Sequence, residues 1–214
     1  ECSRVPVIKH YKGICSVYLD GSADGDKAVA ITVNSKTHRT GVCNAMETLL
    51  VDSRSAEQLL PAVGQALAEK GVEMRSCPQA KAILGDLAVE ATNEDWDTEY
   101  LDLICSVRVV DGVDGALEHI NRHGSGHTEC IVTEDEATAR RFQLEADTST
   151  VFWNASTRFS DGGEFGMGAE IGISTDKIGA RGPSHCSSPN AAQSRLTWSW
   201  PSARPRISAH STSR

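Results

Sequence analysis

The sequence predicts an α/β fold built on a mainly parallel sheet flanked by helices, and three observations carry that prediction. Short apolar, branched stretches alternate with helical patterns of about 10–15 residues, as strand–helix–strand units do. One stretch, LDLICSVRVV at 101–110, is a nearly continuous run of branched apolar residues, the mark of a strand covered on both faces. The length of 214 residues is enough to bury a sizeable core.

Taken in order, residues 24–37 read as a helix with an apolar side of Ala28, Val29, Ala30 and Ile31. ETLLVD (47–52) reads as a strand. A helix follows over 55–71, closed by Gly71, with Ser55 and Gln58 placed as a capping box and Pro61 near the first turn or bending it. VEMRSC (72–77) is a short strand, and PQAKAIL (78–84) a short helix with proline at its first position. Beyond the strand at 101–110 come a helix at 113–123, a strand at CIVT (130–133), a helix at 135–146 and a strand at TVFWNA (150–155). There is no internal repeat. After Pro183 the composition changes: residues 184–214 contain no Asp or Glu and are rich in Ser, Pro and Arg. That tail reads as unstructured, or as the product of a shifted reading frame.

Composition excludes several function classes. A net charge of −8 argues against nucleic acid or an anionic membrane as partner. No apolar run approaches the roughly 20 residues that span a bilayer. The start, ECSRVPVIKH, has neither an initiator Met nor a signal-peptide pattern and reads as the middle of a longer chain. Seven cysteines are scattered through apolar segments, and none forms a C-x-x-C pair. That usage fits small core thiols in a reducing cytoplasm, not a disulfide scaffold or a zinc ribbon.

Among the cysteines, Cys43 has the most reactive setting. It follows a loop bearing His38, Arg39 and Gly41, and NAMET after it could begin a helical turn whose amides favour an anion. A buried structural thiol is the competing reading. His123 and His127 stand at i and i+4 beside Glu129 and Cys130, but Gly124-Ser125-Gly126 between them disfavours the helix a zinc pair requires, so no metal is expected. FGMGAEIG lacks the strand–turn–helix context of a dinucleotide fingerprint, and no Walker-type loop occurs.

Four blocks, GVCNAMETLLV, GSGHTECIVTED, VFWNASTRFSDG and FGMGAEIGISTDKIGARGP, closely resemble the γ-glutamyl phosphate reductase family of the aldehyde dehydrogenase superfamily. The resemblance runs from about Val5 to Pro183 and covers roughly the C-terminal half of such an enzyme. It implies an aldehyde dehydrogenase-like catalytic domain over 21–167. Residues 1–20 would be the end of a cofactor lobe, and 168–183 a return toward it. The implied reaction is NADPH-dependent reduction of L-glutamyl 5-phosphate to L-glutamate 5-semialdehyde, in proline biosynthesis, through a thioester on Cys43. Glu99 is implied as a contact of the nicotinamide ribose. Asn154, Ser156, Thr157, Arg158 and Gly168 are implied to anchor the substrate, with an Arg158–Asp161 contact as the rival role for that arginine. Lys9 is implied to stand where hydrolytic relatives carry a water-activating Glu. Glutamate 5-kinase and copies of the same chain are the implied partners of the intact enzyme, and the isolated fragment is expected to be inactive. Another aldehyde dehydrogenase, a cysteine hydrolase and a non-catalytic remnant are the competing readings.

Overall fold

The structure is a computed structural model and describes residues 12–165. Its strands are β1 (Cys15–Leu19), β2 (Met46–Asp52), β3 (Glu73–Ser76), β4 (Ala88–Glu90), β5 (Ile104–Val110), β6 (Thr128–Val132) and β7 (Thr150–Trp153). The helices are α1 (Gly25–Thr37), α2 (Ala56–Glu69), α3 (Pro78–Leu84), α4 (Gly112–His123) and α5 (Glu136–Glu145). The seven strands form one sheet in the order β4-β3-β5-β2-β1-β6-β7. Every neighbouring pair is parallel. Residues 15–19, read from the resemblance as the end of a cofactor lobe, form a central strand of this same sheet.

Alternation along each strand divides the core in two. Val17, Leu19, Met46, Leu49, Val51, Val107 and Cys130 pack on the face that carries Ile31 of α1 and Leu60, Val63 and Leu67 of α2. Tyr18, Leu50 and Ile131 point the other way, against Leu117 and Ile120 of α4 and Phe142 of α5. Each fully buried Leu, Ile or Phe in these layers stabilises the fold by about 1.5–3 kcal/mol relative to exposure.

Local chemistry explains the element ends. Asp24 caps α1 by accepting the amide of Lys27 at 2.9 Å. The buried face of α1 is Ala28, Ile31, Thr32, Ser35 and Lys36, an i, i+3, i+4, i+7, i+8 stripe; Ala30, read as apolar-side, is exposed. Gly71, at φ 76°, ends α2 with the paired bonds Val72 N–H to Leu67 O and Gly71 N–H to Ala68 O. Pro78 is at the start of α3, as read.

Three expectations are corrected. Ser55 makes no side-chain cap, because its hydroxyl reaches the backbone oxygens of Asp20 and Asp52 instead. Pro61 sits inside α2, beyond its first turn. NAMET does not begin a helical turn: Met46 opens β2 and pairs with Cys15, with a register shift beside it. Strand pairing and burial of Met46 override the local helical preference.

Within β6, the Glu129 carboxyl is fully buried; Oε2 accepts the Ser16 amide at 2.8 Å, and Oε1 has no hydrogen-bond partner. Burial pushes this carboxyl up to about 8, opposed by the hydrogen bonds from Ser16. Between its ordinary value of 4.5 and about 8, the folded chain therefore holds a proton that the unfolded chain has released. The stability linked to Glu129 is full below that window and is lost as pH rises through it. Glu129→Gln should flatten this slope. We expect the variant to match the parent at pH 5 and to exceed it at pH 8 by on the order of 1–3 kcal/mol in urea melts.

Candidate active site

Cys43 lies in the turn between α1 and β2, at the edge of the sheet where the strands begin. The turn is closed by Ala45 N–H donating to Val42 O at 3.1 Å. Two neighbours grip the cysteine backbone. The Cys15 thiol donates to Cys43 O at 3.2 Å. Gly13 packs so closely that a Cβ there would stand 2.2 Å from the same oxygen, so only glycine permits this approach.

The Cys43 sulfur faces His127, with Nε2 3.2 Å from Sγ. His127 is 1% exposed and precedes β6, and its Nδ1 is 2.7 Å from the Thr128 hydroxyl. When Nδ1–H donates to that hydroxyl, the lone pair of Nε2 is directed at the thiol. Ser125 ties the His127 loop to the entry of β1: its hydroxyl accepts Ile14 N–H at 2.9 Å and donates to Ile14 O at 3.3 Å. Sequence reasoning considered His127 only as half of a zinc pair. The glycine break instead turns the two rings apart, and His123 Nδ1 meets Asp97 at 2.8 Å. Among the described residues, no group of three or more His, Cys, Asp or Glu side chains could hold a metal ion.

The segment after β7 runs back along α1 toward this turn. Ser156 caps a short 3-10 turn at 157–160 and accepts the Ser35 hydroxyl at 3.1 Å, while Thr157 N–H donates to Ser35 Oγ at 3.2 Å. Arg158 is buried and reaches Asn44, the residue next to Cys43, donating to its side-chain oxygen. Its Nε donates to His38 Nδ1 at 3.4 Å, and its Nη2 lies 3.4 Å from Asp161. Asn44 also donates to the Ser160 hydroxyl at 2.9 Å.

Arg158 is thus brought to the cysteine turn and Ser156 and Thr157 to the last part of α1, whereas Asn154 is held elsewhere. Asn154, at φ 52°, sits at the opposite edge of the sheet, where its amide accepts Thr133 N–H and donates to Thr133 O, each at 3.0 Å. The five residues of β6 separate the two edges by about 16 Å. Gly168 and Lys9 lie outside the described residues, as do residues 168–183 and the tail from 184.

Glu99 is half-buried in the loop before β5, and none of the described residues engages its carboxylate. The next residue is fixed: Tyr100 N–H donates to Glu47 at 3.4 Å, and the Tyr100 hydroxyl meets Asp95 Oδ1 at 2.9 Å and Ser106 Oγ at 2.8 Å. Glu47 itself pairs with Lys36 at 2.8 Å, both side chains fully buried. Burial pushes the Glu47 carboxyl up to about 7 against the lowering effect of Lys36.

No family model matches the chain. A γ-glutamyl phosphate reductase of Thermotoga maritima is 49% identical over 85% of this chain, with a TM-score of 0.81. The γ-glutamyl phosphate reductase of Saccharomyces cerevisiae is 32% identical over 81%, at a TM-score of 0.58. An acetylating aldehyde dehydrogenase of Geobacillus thermoglucosidasius, 21% identical over 79% with a TM-score of 0.56, shares the fold. The chain spans 44% and 45% of the lengths of the two reductases and 45% of the third protein. By sequence and by fold, this chain belongs to the γ-glutamyl phosphate reductase family, and it shares the fold of an aldehyde dehydrogenase.

Proposed function

We propose that the protein carrying this chain reduces L-glutamyl 5-phosphate to L-glutamate 5-semialdehyde with release of phosphate, using Cys43 as nucleophile. The observation that carries the reading is the 3.2 Å contact between Cys43 Sγ and His127 Nε2, in a chain similar to solved γ-glutamyl phosphate reductases. A thiol is only a few per cent ionised at neutral pH and needs a base within hydrogen-bond reach. His127 takes the thiol proton, and the thiolate attacks the acyl carbon. The carbon–oxygen bond to phosphate breaks, phosphate leaves with the electron pair, and the proton held by His127 is in place to follow it. A thioester on Cys43 remains. NADPH, when bound, supplies the hydride that reduces this thioester. The carbon–sulfur bond then breaks, which releases the aldehyde and returns the thiolate beside His127.

The residues present fit such a cofactor in one respect: Glu99 holds out a half-buried carboxylate that no described residue uses, suited to a ribose hydroxyl. Ser156, Thr157 and Arg158 serve as the substrate anchor. The longer Arg158–Asp161 contact, at 3.4 Å, is the one a substrate carboxylate would replace. Asn154 is left out of this anchor by its place at the far edge. The five described cysteines are thiols, which suits the reducing cytoplasm expected for this chemistry. Among the described residues, no helix is long and apolar enough to cross a membrane.

Two outcomes test the reading in the full-length enzyme. Cys43→Ser should lower phosphate-dependent oxidation of glutamate 5-semialdehyde, followed by NADPH absorbance, by ~10³-fold or more; near-normal turnover would rule out this nucleophile. His127→Gln should slow alkylation of Cys43 by iodoacetamide at pH 7 by ~10-fold and lower turnover by ~10²-fold, as loss of a positioned base does. An alkylation rate equal to the parent's would remove His127 from the mechanism.

A further inference from the structure

The Lys36–Glu47 pair raises a question that stability alone does not answer. Two ions buried in an apolar layer lose their hydration, and well-packed apolar residues of similar volume are often as stable or more so. What an apolar pair could not do is accept backbone amides. Glu47 Oε2 accepts from Tyr100 N–H at 3.4 Å, and the neighbouring backbone amide of Leu101 acts to lower the same carboxyl's pKa. Leu101, next along the loop, is in the left-handed region at φ 55°. These amides belong to the loop that carries Glu99.

The same pair brackets the nucleophile. Lys36 lies in the last turn of α1, which leads into the cysteine loop, and Glu47 is the second residue of β2, which leaves it. One buried contact therefore joins the segment on each side of Cys43 to the residue beside Glu99. The far side of that loop is held independently, with Arg75 stacked over the Tyr100 ring at 5.1 Å and the phenol bonded to Asp95 and Ser106.

We propose that Lys36 and Glu47 are positioning residues that set the nicotinamide-ribose contact Glu99 at a fixed place relative to the nucleophile Cys43. The inference rests on the functional reading above for the roles of Glu99 and Cys43. It makes the buried pair a determinant of cofactor affinity, although neither residue touches the cofactor.

The test compares Lys36→Met/Glu47→Leu, Glu99→Gln and their combination in the full-length enzyme, assayed for NADP-dependent oxidation of glutamate 5-semialdehyde with phosphate. The apolar pair replacement should keep the melting temperature at or near the parent's and leave Cys43 alkylation within about twofold, while KM for NADP rises ~10-fold. Glu99→Gln should raise the same KM, and adding the pair replacement to it should change KM little further, because both act through one contact. A folded pair variant with the parent's KM for NADP, beside a raised KM in Glu99→Gln, overturns the positioning role and leaves the functional reading intact. An unchanged KM in Glu99→Gln overturns the assignment of Glu99 and the inference built on it. Should the pair variant fail to fold, Lys36→Leu/Glu47→Met, which likewise removes the amide acceptor, replaces it with the same expected split between KM and alkylation.

Discussion

A backbone ladder buried on both faces is closed to substrate and solvent, so the side chains that do chemistry sit at its ends. β1, β2 and β6 are buried at every position and lie side by side. Their beginnings converge, and the segments before them bring Gly13, Cys43 and His127 together. The sheet thus fixes the meeting point of three loops that are distant in sequence, and the loops need only short contacts to hold the cysteine in place.

Those contacts come from several directions. The carbonyl of Cys43 is held by the Cys15 thiol and crowded by Gly13, its sulfur faces a buried imidazole, and the neighbouring Asn44 is bonded to Arg158. The restraints come from three segments far apart in sequence: the entry of β1, the loop before β6 and the turn after β7. This arrangement suits a nucleophile that must meet an acyl carbon along a defined line.

The fold was legible where a residue pattern had one cheap structural solution. The branched run at 104–110 could hardly be anything but an inner strand, Gly71 could supply the positive φ that ends a helix, and Pro78 could only begin one. β1 was harder to see, because ICSVYL is short and its partners lie far along the chain, at 46–51 and 129–132. β4 has three residues and presents no period. In the site, the resemblance pointed to Cys43, but His127 was hidden. Its spacing to His123 suggested a shared ligand, whereas its actual neighbour lies 84 positions away and is brought to it only by the parallel pairing of β1 with β2 and β6. The distance of Asn154 from the cysteine was equally hidden. Asn154 is fixed on Thr133, whereas Ser156 and Thr157, two and three residues on, already pack on Ser35 of α1.

The interior of the sheet also sorts the sulfur atoms by reactivity. Burial pushes the thiols of Cys105 and Cys130 up to about 12, and it raises Cys15 as well, with Glu129 adding to the effect. Cys77 is half-buried and its sulfur accepts the amides of Ala80 and Val109. A soft electrophile arriving from water therefore meets very different targets within one small chain. The architecture that shelters the hydrocarbon interior also acts as a chemical filter, and a covalent ligand designed against the turn at position 43 gains selectivity from the packing around the other four described thiols.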